Sequence, residues 1–339
     1  MIPKANQFEY NKLYIRLVAL WILIESFLGG IIHGLKIPVS GLLVGGSAMI
    51  CIILIAHYFP SKGSVMKAML LVAIFKMMLS PHSPAPAYLA VFFQGILGEF
   101  LLKRKSIFAI ACILFGIITM LESALQRILV LIFLYGSEFW KAVDIWLAKT
   151  TGFEEFNQFS ILLAMAYLIT HFLVGGFLGW FGWRLTRMNF ATESHNLRIT
   201  IPELQLLQKE VLIKNKSHRR NRFLLFIFWF FAIFLFVQAW FQPDSAILPP
   251  NKIFELLLRF FVIVSSYILI IQPLVHRILR KWLKSKKSEL ANQINEIQQV
   301  MPEVKFLVKE SWKKSGAKIS NFRSFLSILF FNLFLIKDA

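Results

Sequence analysis

The chain has 339 residues, of which 57% are hydrophobic and 35 are phenylalanine, and its formal net charge is +19. Apolar runs approaching the roughly 20 residues that cross a bilayer recur along it, which excludes an ordinary soluble domain. The charge does not point to nucleic acid, because it gathers between the apolar runs, as in membrane proteins with an oriented topology.

Polar residues run to Lys12 and the first apolar run is long enough to span, so a cleavable signal is not expected. That first span covers residues 14–34. Gly29, Gly30, His33 and Lys36 mark its far end, and Pro38 punctuates the turn. The second span, 39–59, contains Gly41, Gly45 and Gly46. The third covers 65–79. A non-helical loop follows over 80–88, where Pro81, Pro84 and Pro86 remove backbone donors and bias their predecessors away from the helix. His82 lies between these prolines. The fourth span, 88–102, runs into the basic anchor Lys103, Arg104 and Lys105. The fifth, 107–135, is longer than a bilayer needs, so it tilts or projects. Residues 136–158, with Trp140 and Trp146, read as an interfacial amphipathic segment. The sixth span covers 159–183, and Gly175, Gly176, Gly179 and Gly182 give it a small-residue packing face.

After Trp183 the character changes. Residues 184–222 are basic, and Thr200 to Glu203 has the spacing of a helix-starting capping box. Two further spans follow at 223–241 and 253–275. The remainder is amphipathic, with Leu290, Ile294 and Ile297 on one stripe, and Pro302 breaks that helix. The apolar stretch 322–336 is short for a span and reads as interfacial or partial. The fold class is thus all-α: a polytopic membrane protein with a six-helix bundle over 1–184. Two more transmembrane helices and amphipathic cytoplasmic helices make up 185–339. The excess of lysine and arginine on alternate segments puts both termini in the cytoplasm, in a bacterial inner membrane.

Ionisable groups inside spans are costly and mark candidate sites. Glu25 and Lys76 each lie eleven residues into their spans, about 16 Å deep at the same level. Glu122 and His171 lie at comparable depths. The four make a candidate buried polar cluster, and the plainer alternative is a structural Glu25–Lys76 ion pair. Glu99 and Lys103, four residues apart, read as a local pair. No metalloprotease, P-loop or nucleophile-elbow motif occurs, and the acids are scattered too singly for a Mg²⁺ site. Neither catalysis, a cofactor nor a resident metal is expected. Cys51 and Cys112 lie inside apolar runs and read as free buried thiols.

The texture of GGIIHGLKIPVSGLLVGG, YFPSKGSVMKAML and SPHSPAPAYLAVFFQGILGE, on six spans with a cytoplasmic N-terminus, resembles a substrate-binding component of energy-coupling-factor transporters. The resemblance covers about residues 14–184. It implies uptake of a small vitamin-like or metal substrate, enclosed near the outer face by the loops after spans one, three and five. The residues it assigns to that role here are His33, Lys36, His82, Tyr88, Trp140, Lys141 and Trp146. Residues 184–339 are similar to a reduced coupling component of that family, whose long helices dock on ATP-binding-cassette ATPase subunits. The family's short Ala-Arg-Gly motifs are absent; Lys314 to Lys318 is the nearest text. Two other functions compete: a membrane scaffold that binds a cytoplasmic partner or anionic lipid, and a lipid-modifying enzyme.

Overall fold

A helix whose last two turns are almost wholly apolar on every face has to be surrounded there. In the computed structural model, which describes residues 7–29, 40–80, 83, 85–152, 158–188, 198–199, 258 and 261–334, the first helix is such an element. Helix α1 (Gln7–Ile22) buries every residue from Ile15 to Ile22, including Arg16 and Trp21. It continues into a π-helical turn, Leu23–Leu28, which carries Glu25. Around α1 pack α2 (Ser40–Tyr58) and α3 (Ser64–Leu79). Two helices from the other end of the chain join them: α8 (Ala291–Lys314) and α9 (Phe322–Phe334). Helix α4 (Ala85–Leu101) packs on α2 and α3. Helices α5 (Phe108–Thr151), α6 (Phe159–Thr186) and α7 (Gln272–Glu289) complete the set, and the described residues contain no strand.

The chain divides into two compact units, Met1–Thr119 with Gly175–Lys214 and Leu279–Ala339, and Met120–Val174 with Asn215–Ile278. This division differs from the boundary expected at residue 184. The reason is physical: α8 lays its apolar stripe, Ile294, Ile297, Val304 and Leu307, into the first unit's core against α1. Pro302 does not break α8, which runs through it. The buried residues on both sides of the proline hold the helix together despite the lost backbone donor. The short apolar stretch at the end forms α9, which buries Leu326, Leu329, Phe330 and Leu333 in the same core.

Polar side chains set the local joins of the first unit. Gly63 precedes α3 with φ 86°, a left-handed conformation that suits glycine. Its N–H donates to Glu99 Oε1 at 2.7 Å, and the N–H groups of Val65 and Met66 donate to Glu99 Oε2 at 3.2 and 3.3 Å. Glu99 therefore directs its carboxylate at the start of α3, where free N–H groups and the helix dipole favour an anion, rather than serving as a partner for Lys103. The Tyr14 hydroxyl donates to the Ser64 carbonyl at 2.8 Å and ties α1 to the same turn. Small residues bring α5 and α6 together: a Cβ on Gly175 or Gly179 would strike the backbone at Gly116 or at Cys112. Cys51 and Cys112 are free buried thiols.

In the second unit, α5 bends at Gly136, whose φ of 68° and ψ of −169° belong to a region essentially reserved for glycine. The chain beyond stays helical to Thr151, so the expected interfacial segment is a helix. Asp144 then accepts from the Ser160 N–H at 2.6 Å and from its hydroxyl at 3.0 Å, capping α6.

Among the described residues, four helical stretches are long and apolar enough to cross a membrane: Gly41–Tyr58, Lys105–Phe133, Phe159–Thr186 and Phe261–Glu289. Pro86–Leu101 and Phe322–Phe334 are shorter apolar helices. Along α6, Ile161, Leu162, Leu163, Met165, Ile169, Phe172, Leu173 and Phe177 are all exposed. A continuous exposed stripe of this kind belongs against lipid, and the protein is a helical membrane protein. Of the eight expected spans, 223–241 lies outside the described residues, as does the helix expected after Thr200.

Candidate functional site

The π-helical turn and the end of α3 put two opposite charges together. Glu25 and Lys76 are both buried, and Lys76 Nζ donates to Glu25 Oε2 at 2.7 Å. Single π turns recur at functional positions because they re-aim side chains out of α-helical register. Lys76 lies three residues from the end of α3, next to the start of α4. It also donates to the Ala87 carbonyl at 3.0 Å, and its ammonium lies 5.8 Å from the centre of the Tyr88 ring. Ala87 sits in the first turn of α4, where its carbonyl can accept an ammonium in addition to the helix bond. Tyr88 is 1% exposed.

Two expectations that were separate in the sequence thus meet. Glu25 and Lys76 come from the expected buried cluster, and Tyr88 comes from the expected binding loop. Glu122 and His171 belong to the second unit, where the His171 ring nitrogen Nδ1 is 2.9 Å from the Tyr167 carbonyl and the two rings lie 4.2 Å apart. Trp140, Lys141 and Trp146 also belong to that unit, on α5 beyond its bend. Lys141 and Trp146 are exposed there. His33, Lys36 and His82 lie outside the described residues.

Besides Gln293 Oε1 and Ser311 Oγ on α8, three further polar atoms in the first unit are buried without a hydrogen-bond partner among the described residues. They are Trp21 Nε1, Ser26 Oγ and Gln94 Oε1. Trp21 lies one turn before Glu25, Ser26 directly follows it, and Gln94 lies two turns beyond Tyr88 on α4. Buried polar atoms are nearly always satisfied, so each invites a partner. Among the described residues no group of three His, Cys, Asp or Glu side chains comes together to hold a metal ion.

A second buried charge pair escaped the sequence reading. Arg16 is 2% exposed and pairs with Glu303 of α8. It also donates to the Leu333 carbonyl of α9 at 3.1 Å. One guanidinium therefore ties the central helix to both C-terminal helices, a use its planar array of donors suits. The only available signal was the position of Arg16 inside an apolar run.

Comparison with family models, with curated proteins and with solved structures finds no match.

Proposed function

We propose that this protein is a membrane transport protein that takes up a small polar solute, with Glu25, Lys76 and Tyr88 at the binding centre. The observation that carries the reading is the buried, neutralised pair at a π-helical turn. Ionisable groups inside a membrane default to substrate or ion pathways, and pockets for small solutes combine apolar walls with a few placed polar groups. The pair leaves no net charge, so a neutral or zwitterionic solute suits this centre.

The membrane orientation in this proposal has both termini in the cytoplasm of a bacterial cell, from the lysine and arginine asymmetry. The C-terminal helices would relay movement to a partner. The apolar stripe of α8 is covered by α1 and α9, so an ATP-binding-cassette ATPase would have to use its polar face. The uptake class keeps its motivation from the resemblance to energy-coupling-factor substrate-binding components. Native mass spectrometry of the purified full chain tests the reading: a solute released on activation, with or without co-purifying subunits, is expected. A protein that carries no small molecule and gains no thermal stability from any solute in a broad metabolite panel contradicts it.

A further inference from the structure

Helix α7 carries six lysines and arginines against one acid in QPLVHRILRKWLKSKKSE. At about 100° per residue, these do not distribute evenly. Arg277, Arg280, Lys281, Lys284 and Lys287, all exposed, fall within an arc of about 120°. Lys286 lies off that arc and pairs with Glu289 at 2.9 Å. None of the five meets a carboxylate among the described residues. The next sector of the helix holds Leu274, Ile278 and Trp282, spaced four apart and exposed by 55%, 60% and 43%. The third sector, with His276 and Leu283, is buried. Helix α7 continues the apolar run that begins at Phe261.

We propose that the basic sector of α7 is a docking surface for anionic phospholipid headgroups, seated by the apolar sector beside it. Five cations on one arc that meet no carboxylate among the described residues complement a sheet of negative charge. The adjoining leucine, isoleucine and tryptophan fit the headgroup–acyl boundary, where indole rings and basic side chains concentrate. A nucleic acid or an acidic soluble protein would satisfy the cations but leave the apolar sector in water. Continuity with a membrane-length apolar helix fixes the surface beside the bilayer, where each lysine near an anionic leaflet adds to binding. The lysine stems lie along the apolar surface while their ammonium groups reach the headgroups.

The test uses the purified full chain, titrated by native mass spectrometry with phosphatidylglycerol and with phosphatidylcholine. The wild type holds phosphatidylglycerol preferentially. Removing Lys281, Lys284 and Lys287 together as glutamines weakens that binding roughly 100-fold at low ionic strength. Raising salt from about 0.05 M to about 0.5 M weakens wild-type binding in the same direction. The triple change to arginine restores it. A control variant with Lys62→Gln, Lys67→Gln and Lys103→Gln removes as much charge elsewhere and keeps the preference. Circular dichroism and size exclusion establish that each variant is folded. Equal losses in the two glutamine triples would reduce the effect to net charge and overturn the proposal. So would a wild type that binds both lipids alike, or one in which acidic protein but not phosphatidylglycerol competes for the site.

Discussion

Replacing Glu25 by glutamine isolates the energy of the buried pair. At 2.7 Å the attraction between Lys76 Nζ and Glu25 Oε2 is about 6 kcal/mol for an effective dielectric near 20. Much of this offsets the cost of removing both charges from water, so the pair's net worth is small. Breaking it is different. With Glu25→Gln, Lys76 keeps the Ala87 carbonyl at 3.0 Å and the Tyr88 ring at 5.8 Å, neither of which carries a compensating charge. The ammonium then stays buried and unpaired, which costs about 3–5 kcal/mol. The double variant Glu25→Gln with Lys76→Met removes both charges and should recover most of that loss. Reversible unfolding in mixed detergent micelles, followed by circular dichroism, gives the four free energies of the cycle. A coupling above about 2 kcal/mol is expected for a contacting pair in one network. Additive losses would refute the interaction and, with it, the assignment of both residues to one centre.

Three further outcomes can be checked. Gly179→Ala should cost several kcal/mol, because the new Cβ would meet the Cys112 carbonyl oxygen and lie 2.8 Å from Ile113 Cα. Gly176→Ala faces only Ile117 Cγ1 at 3.7 Å and should stay within about 0.5 kcal/mol of wild type, and thermal unfolding of the two separates close packing from a general intolerance of side chains. Arg16→Met leaves Glu303 charged without its guanidinium and should cost about 3–5 kcal/mol; limited proteolysis should then release α8 and α9 sooner, and adding Glu303→Leu should reverse this. Cysteines placed at Ser83 and Ser245 should react with an impermeant maleimide on intact cells and one at Ser217 should not, against a low background because Cys51 and Cys112 are buried; reaction at Ser217 would reverse the proposed orientation.

The elements that were legible in the sequence share one property: their signal is local. Span three at 65–79 and α3 at Ser64–Leu79 nearly coincide, because a long apolar run bounded by Gly63 and Ser80 needs no partner to be read. Glu25 and Lys76 could be paired by depth, since residue count along a helix measures height. What stayed hidden was decided by contacts between distant segments. Arg16 and Glu303 lie 287 positions apart, and no local spacing relates them. Glu99 answers to the N–H groups of α3, some 36 residues earlier at Gly63, rather than to Lys103 on its own helix. Pro302 reads as a helix stop by intrinsic preference, but burial of the residues flanking it overrides that preference. Residues 136–158 read as an amphipathic segment, and what the sequence did not show is the bend at Gly136, after which the chain is helical to Thr151.

The central claim is that the Glu25–Lys76–Tyr88 centre binds the transported solute. Uptake of the solute identified by native mass spectrometry, measured in proteoliposomes with any co-purifying subunits present, tests it most directly. The wild type should accumulate the solute, while the folded double variant Glu25→Gln, Lys76→Met should neither bind nor accumulate it. A double variant that takes up the solute at the wild-type rate would contradict the account and leave the pair a structural one.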